Sequence, residues 1–237
     1  MQCIGQTSDW PDTLFATAGG MADSMTATGT QPVPAHGTST HSPLCEEDTV
    51  EWHPLIPFLP HDAKVLMLGS FPPQRKRWCM DFYYPNFIND HWRIHGLVFH
   101  GDASHFISTT GRSFRLHAIV EHLMAHGIAL FDTAIAVRRL AGNASDDNLE
   151  VAVPTDLHAL AAHLPQLRAI VTTGTLATRT AMTTLLAEGH KPPRVGESMP
   201  TALGDVELHR LPSSSRAYPL ALPRKAEAYA AMFCRYL

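Results

Sequence analysis

The sequence predicts an α/β fold, a three-layer α/β/α sandwich with a central, mostly parallel sheet. Short apolar runs typical of buried strands alternate along the chain with stretches whose apolar residues recur at helical spacing. Such alternation favours a parallel sheet that is covered by helices on both faces. A length of 237 residues and a hydrophobic content of 45% suit one domain with a full core.

The individual elements follow in order from local patterns. Predicted strands lie at residues 64–68, 128–131, 135–137, 169–171 and 206–211. Predicted helices lie near Asp90 and at residues 113–126, 157–164, 175–188 and 223–236. Gly127 ends the helix at 113–126 and Pro165 ends the next one, because neither residue favours a continuing helix. Pro223 occupies a first-turn position, at which proline is tolerated.

Residues 1–48 differ in composition from the rest of the chain. They are rich in Thr, Ser, Gly, Ala and Pro, show no hydrophobic period and contain no Lys or Arg. We therefore expect a disordered tail over 1–48 and a folded domain over 49–237. The alternative is a start codon assigned too early, with Met21 or Met25 as the true start.

Composition argues against several classes of protein. No apolar stretch approaches the roughly 18 residues of a membrane span, and residues 1–6 lack the features of a secretory signal. The fifteen histidines are scattered, so we expect neither a metal site nor a cofactor. The four cysteines, Cys3, Cys45, Cys79 and Cys234, are not closely spaced, so we interpret them as free thiols in a reducing cytoplasm. We also expect the protein to be a monomer.

Two segments follow predicted strands and carry residues unusual for plain connections. Residues 69–92, here called the aromatic segment, combine prolines, three basic residues, paired tyrosines and several amides. Residues 212–219 include three consecutive serines. Ligands of open α/β sheets bind beyond the carboxyl ends of the strands. The sequence therefore predicts that the two segments form the walls of one cleft.

The order of short motifs in these segments resembles the uracil-DNA glycosylase superfamily, and most closely its hypoxanthine-DNA glycosylase-like branch. The motifs are GSFP at 69–72, YY at 83–84, Asn89 with Trp92 three residues later, and LPSSS at 211–215. The resemblance spans about residues 50–237. Three positions depart from the pattern of this branch in ways that bear on base preference more than on fold: Pro73, Phe87 and His91. Leu211 fits this branch but stands where the better-known branch has histidine.

The resemblance implies a monofunctional DNA glycosylase of base excision repair. Such an enzyme flips a deaminated base, uracil or hypoxanthine, out of DNA and hydrolyses its N-glycosidic bond, leaving an abasic site. It implies DNA containing a damaged base as the partner, in the cytoplasm and on the nucleoid when bound to DNA. Two alternatives stay open, a hydrolase of free nucleosides or nucleotides and a non-catalytic DNA-binding relative.

Asn89 is the residue on which the resemblance places the catalytic role. Its amide oxygen can accept a hydrogen bond from the attacking water, although an amide cannot act as a base. The alternative is a purely structural role, in which Asn89 caps the helix that begins near Asp90. Asn86, Asp81 and Asp90 are the alternatives for the water, and both aspartates are expected to cap a helix or face solvent instead.

The remaining site residues are expected around the base and the DNA backbone. Gly69, Ser70, Phe71 and Pro72 would form the base pocket together with Tyr84, with Phe71 or Tyr84 stacking on the base. Packing in the core is the alternative for Tyr83, Tyr84 and Trp92, and we expect it for Trp92. Residues expected to contact DNA are Arg75, Lys76, Arg77, Ser213, Ser214, Ser215, Arg216 and Tyr218. Arg216 or Tyr218 would fill the space left by the flipped nucleotide. Arg138, Arg139 and residues 143–147 are weaker candidates.

Overall fold

A computed structural model describes residues 50–140, 148–186 and 189–237 of the chain. The predicted tail at 1–48 and the candidate stretch at 143–147 lie outside these ranges. The described strands are β1 Val50–Trp52, β2 Val65–Gly69, β3 Ile128–Asp132, β4 Ala134–Arg139, β5 Leu149–Pro154, β6 Ala169–Thr173, β7 Ser198–Pro200 and β8 Glu207–Leu211. The helices are α1 His91–His100, α2 Leu116–His126, α3 Leu157–Ala162, α4 Thr175–Leu185 and α5 Leu222–Tyr236, and Arg75–Arg77 form one 3-10 turn.

The main sheet has five strands in the order β3-β2-β6-β8-β7. Its first four strands are parallel, and β7 pairs antiparallel with β8 at the edge. All residues of β2, β3 and β6 are buried, because parallel strands inside a sandwich are covered on both faces. This burial accounts for the uninterrupted apolar runs that the sequence shows at these strands.

The helices form a layer on each face of the main sheet. The connection through α1 and α2 runs from β2 to β3, and the connection through α4 runs from β6 to β8 in the opposite direction along the sheet. Because such crossovers are right-handed, they place their helices on opposite faces. Helix α5 packs on α1, and α3 packs on α4. The predicted three-layer α/β/α sandwich is confirmed.

A second, antiparallel sheet was not predicted. It has the order β1-β4-β5, and the predicted strand at 135–137 lies in its β4. Strands β1, β5 and β7 have no predicted counterpart. The first and last of these are three residues long, so their pairing partners rather than a sequence pattern define them.

Helix boundaries differ from the predictions by a few residues. Helix α2 begins at Leu116 rather than 113, because Phe114 forms an isolated antiparallel bridge with Ile107. It ends at Gly127, which has a φ of 64°, as expected for a left-handed glycine after a helix. Helix α3 ends at Ala162, and α5 carries its proline in the first turn. Within the described ranges no helix has both the length and the apolar character of a membrane-spanning segment.

Candidate active site

A cavity of about 730 Å³ opens at the carboxyl ends of the parallel strands. Gly69 at the end of β2 and Asp132 at the end of β3 are paired in register, and Thr173 and Leu211 end β6 and β8 in the same way. All four residues line the cavity, together with residues of the aromatic segment and of 212–219. The two segments therefore form walls of one cleft, as the sequence predicts.

Most of the predicted site residues lie on this cavity. Those that line it are Gly69, Ser70, Phe71, Pro72, Arg77, Tyr84, Asn89, Ser213, Ser214, Ser215, Arg216 and Tyr218. Arg75 and Lys76 are exposed in the 3-10 turn and do not line it. Arg75 instead lies over the Trp78 ring at 4.3 Å and pairs with Asp81 at 2.7 Å. Asp81 is therefore a solvent-facing residue, as expected.

Asn89 lies on the cavity wall at the beginning of α1. Its Oδ1 accepts a hydrogen bond from the backbone N–H of His91 at 2.9 Å. Asn89 directly precedes Asp90, which occupies the N-cap position of α1, so this bond is a local turn at the start of the helix and not an N-cap. An amide oxygen has two lone pairs, so this bond leaves room for one further hydrogen bond. Asn86 also lines the cavity, and its Oδ1 accepts from the N–H of Ile88 at 3.2 Å.

Tyr84 is held rigidly beside the cavity. It has a φ of 50°, the only positive φ among the described residues other than glycine. The ring of His91 stacks on it with centroids 3.5 Å apart and planes 7° from parallel. The Tyr84 and Thr173 hydroxyl oxygens lie 3.2 Å apart. These contacts fix the aromatic ring in one orientation, which an aromatic platform for a flat ligand requires.

His91 is neutral in this arrangement. Complete burial, together with the neighbouring His122, holds its pKa well below the usual range of a histidine. Neither of its ring nitrogens has a hydrogen-bond partner among the described residues. A protonated imidazole would be poorly solvated here, so His91 supports Tyr84 as an uncharged flat ring.

Phe71 and Pro72 are positioned by Arg139. The Arg139 guanidinium donates to the carbonyl of Pro72 at 2.7 Å and lies 5.6 Å from the Phe71 ring. It also donates to both carboxylate oxygens of Glu51 on β1, at 2.8 and 2.9 Å. The unpredicted second sheet therefore fixes the turn after β2. Arg139 lines the cavity, but these partners make it a support for the pocket.

Asp132 and His53 are site residues that the sequence analysis missed. Asp132 is buried at the end of β3, and its Oδ2 lies 2.9 Å from Nε2 of His53. An aspartate directly after the apolar run 128–131 was a usable signal, because ligands gather at the ends of such strands. His53 was considered to lie near the site but was assigned no role, because its partner Asp132 lies 79 residues away in sequence.

Asp90 occupies the N-cap position of α1, but its side chain neither caps the helix nor faces solvent, which corrects our expectation. Its carboxylate is buried and makes no capping hydrogen bond to α1. Oδ2 accepts from Nζ of the buried Lys225 at 3.1 Å, and Oδ1 accepts from Arg216 at 3.1 Å. Lys225 was missed, although it shares the spacing of the buried residues Tyr229 and Tyr236 on α5. Asp90 thus joins the aromatic segment to α5.

Residues 213–215, here called the serine loop, form a turn stabilised by their own hydroxyl groups. Ser213 Oγ accepts from the N–H of Ser215 at 3.2 Å, and Ser215 Oγ accepts from the N–H of Ala217 at 3.3 Å. Ser214 is 3% exposed, and its carbonyl accepts from the N–H of Asp90 at 3.0 Å. Burial leaves Ser213 and Ser215 better placed than Ser214 for contact with a ligand.

Trp92 belongs to the core, as expected, and so does Tyr83. Both are buried, the Tyr83 hydroxyl donates to the carbonyl of Ile56, and the Trp92 indole N–H donates to the carbonyl of Tyr83. Among the residues that the structure describes, no group of three or more His, Cys, Asp or Glu side chains could hold a metal ion.

Comparison with solved structures shows the same fold in other proteins. The solution NMR structure of a candidate uracil DNA glycosylase from Methanosarcina acetivorans superposes with a TM-score of 0.54 at 21% sequence identity. The match covers 79% of this chain and 98% of the other. No protein-family model and no curated protein matches the chain. The chain therefore has a uracil-DNA glycosylase-like α/β fold.

Proposed function

We propose that this protein is a monofunctional DNA glycosylase that hydrolyses the N-glycosidic bond of a deaminated base and leaves an abasic site. The observation that carries the proposal is the meeting of Tyr84, Asn89 and the serine loop in one cavity. This cavity lies at the carboxyl ends of the parallel strands in a uracil-DNA glycosylase-like fold. The substrate base is uracil or hypoxanthine, in keeping with the motif pattern of the hypoxanthine-DNA glycosylase-like branch.

The aromatic residues would receive the base after it leaves the duplex. Base flipping costs a few kcal/mol of lost stacking, which a protein surface offsets by stacking the base on an aromatic ring. His91 covers one face of Tyr84, so the base would stack on the opposite face or on Phe71. Because Tyr84 is fixed before the base arrives, little side-chain entropy is lost on binding.

Asn89 would place the water that attacks the sugar. In a glycosidic bond that breaks through an oxocarbenium-like state, the base leaves with the bonding electron pair and C1′ becomes cationic. A positioned water then adds to C1′ and releases a proton. Such a reaction needs placement of the water more than a strong base. The second lone pair of Asn89 Oδ1, next to the one that accepts from His91, is the acceptor for this water.

Polar and basic groups at the rim would hold the DNA backbone. Ser213, Ser215, Arg77, Arg216 and Tyr218 lie on the cavity, and hydroxyl and guanidinium groups are common phosphate contacts. Arg77 is exposed and makes no salt bridge with a described residue. Arg75 and Lys76, which lie in the same 3-10 turn as Arg77 but off the cavity, would contact neighbouring phosphates. These contacts favour a polymeric substrate over a free nucleoside.

The decisive experiment is base excision from labelled duplexes that each carry one uracil, hypoxanthine, xanthine or 5-hydroxymethyluracil. The expected result is alkali-cleavable abasic sites in at least one of the first two duplexes and none in unmodified DNA. Asn89→Ala protein, purified in the same way, reports any contaminating glycosylase. Release of base from free deoxyuridine or deoxyinosine but not from duplexes would show a nucleoside hydrolase. Binding of abasic DNA without any excision would show a non-catalytic relative.

A further inference from the structure

Arg93 has no part in the mechanism above and does not line the cavity, although it lies one helical turn after Asn89. We infer that Arg93 is a positioning residue, which holds the turn that carries Asn89 and so keeps Asn89 Oδ1 directed at the attacking water. The inference rests on the proposed function and deepens it. It depends on the geometry of the turn, on the hydrogen bonds of the guanidinium and on the residue at the second position of the turn.

Residues 86–89 form a β-turn whose last residue is Asn89. The N–H of Asn89 donates to the carbonyl of Asn86 at 2.8 Å, and Asn86 Oδ1 accepts from the N–H of Ile88. None of the four residues has a positive φ, so this hydrogen-bonded turn has type I geometry. The turn therefore sets the direction in which the Asn89 side chain leaves the backbone, and the N–H of His91 binds its oxygen from the side of α1.

The Arg93 guanidinium holds this turn from α1. Its Nη1 donates to the carbonyl of Phe87 at 2.7 Å and to the carbonyl of Asn89 at 2.9 Å. Hydrogen bonds from a charged donor are roughly twice as strong as those between neutral groups. One nitrogen atom therefore ties the middle of the turn to its last residue, and it ties both to the first helical turn of α1.

Phe87 makes the turn dependent on such a constraint. It occupies the second position, at which proline is favoured because the proline ring fixes φ. A phenylalanine leaves φ free, so its backbone must be held by other contacts. The Arg93 guanidinium lies 4.8 Å from the centroid of the Phe87 ring, and the Phe114 ring packs on Phe87 with centroids 5.2 Å apart. Arg93 thus holds by contact the backbone that a proline would hold covalently.

The first test separates the chemical step from DNA binding. In Arg93→Met the single-turnover rate of base excision should fall by about 10- to 10²-fold, because a misplacement of about 1 Å at a reacting group can cost that much. Affinity for abasic duplex should stay within about threefold of wild type, since Arg93 acts only through the turn.

Arg115→Met is the matched control for this variant. Arg115 also donates to a backbone carbonyl, that of His105 at 3.1 Å, but it lies away from the turn. The control removes the same charge and the same kind of hydrogen bond, so its excision rate should stay within about twofold of wild type. A rate for Arg93→Met within about twofold of wild type would overturn the inference.

A proline at position 87 tests whether Arg93 acts through the turn. Phe87→Pro fixes φ covalently, so loss of the guanidinium should then matter little. The double variant Phe87→Pro/Arg93→Met should excise base within about threefold of Phe87→Pro alone, which is a non-additive effect expected of residues that act on one structure. An equal loss from Arg93→Met in both backgrounds would overturn the inference, because Arg93 would then act by another route.

The inference and the proposed function fail in different ways. If wild-type protein excises no base, glycosylase activity is refuted, and amide hydrogen exchange measures the turn directly. The N–H of Asn89 should exchange at least about tenfold faster in Arg93→Met than in wild type, while that of the buried Ile119 stays unchanged. Adding Phe87→Pro should restore slow exchange at Asn89. Equal exchange at Asn89 in wild type and Arg93→Met would overturn the positioning role itself.

Discussion

Lys225 Nζ lies 3.1 Å from Oδ2 of Asp90, and both side chains are buried. The same ammonium donates to the carbonyl of Ser215 at 2.7 Å. Asp90 follows Asn89 directly, and its N–H donates to the carbonyl of Ser214. One ion pair therefore holds α5, the start of α1 and the serine loop together, and it fixes the distance between the candidate catalytic and phosphate-binding groups.

Removal of the lysine should destabilise the fold. In Lys225→Met, Asp90 keeps only the more exposed Arg216, and a buried charge that loses its partner costs about 3–5 kcal/mol. Urea denaturation measures this change in the free energy of unfolding. Arg224→Met, at the exposed neighbouring position, should leave the midpoint unchanged. The double variant Asp90→Asn/Lys225→Met should be more stable than Lys225→Met. A midpoint for Lys225→Met equal to that of wild type would contradict this.

Asn89 and Asn86 form a matched pair for testing the placement of the water. Both line the cavity, and each accepts one hydrogen bond from the backbone N–H two residues later. Loss of either local bond should cost about 1 kcal/mol of stability. Asn89→Ala should lower kcat for base excision by about 10²-fold or more, whereas Asn86→Ala should lower it less than about tenfold. The reverse order, in single-turnover assays, would transfer the role to Asn86.

The dependence of DNA binding on salt should report on Arg77. This side chain is exposed on the cavity rim, and a phosphate contact releases about one counterion. In Arg77→Gln the slope of log K against log salt, measured by fluorescence anisotropy with abasic duplex, should become shallower by about one. Arg235→Gln is the control, because Arg235 pairs with Glu207 at the opposite end of β8 from the cavity. An equal change in both variants would remove Arg77 from the interface.

Stability should fall on mild acidification because of buried histidines. Burial first, and neighbouring histidines second, hold the pKa values of His91 and His95 well below the usual range and lower that of His122 to about 3. A histidine with a lowered folded pKa favours unfolding as pH falls below its unfolded value of about 6.5. Its contribution to stability is therefore complete above that pH, and for His122 it is lost progressively down to about pH 3.

The measurement is urea denaturation between pH 7.5 and 5, where most carboxylates stay ionised. Each such histidine should contribute up to about 1.4 kcal/mol of lost stability per pH unit. His122→Leu should give a shallower pH dependence, although it leaves the hydrogen-bonding His95 Nδ1 without its partner. His117→Gln, whose side chain is 90% exposed, should keep the wild-type slope. A flat profile for wild-type protein would contradict the assigned histidine states.

Local sequence patterns were sufficient to predict the main strands of the five-stranded sheet and the helices that cover it. Runs such as 65–68 and 169–171 are apolar throughout because both faces of their strands are covered, and Gly127 ends a helix because it accepts a positive φ. The three-residue strands β1 and β7 carried no comparable signal, and the six-residue strand β5 was also not predicted. Their positions depend on partners distant in the chain, such as Val50 with Arg138 in β1 and β4.

The two parts of the candidate site were predictable for a similar reason. A parallel sheet brings the ends of its strands to one edge, so the aromatic segment and the serine loop had to lie near each other. The roles of single residues within them were not predictable. The Asn89 side chain proved to bind the first N–H of α1, Ser214 proved to be buried, and Arg75 and Lys76 lie off the cavity. These properties depend on neighbours and on exposure, which motif spacing does not define.

The sequence by itself determined the α/β class, the parallel strands and the two segments at their carboxyl ends, because these follow from the period of apolar residues along the chain. Only the tertiary structure decided that His53 binds Asp132 and that Lys225 binds Asp90. Each pair joins residues far apart in sequence, and a charge is stable in the interior only beside a partner that folding brings to it. The chemistry of the cavity depends on those two pairings, and no local sequence pattern predicts them.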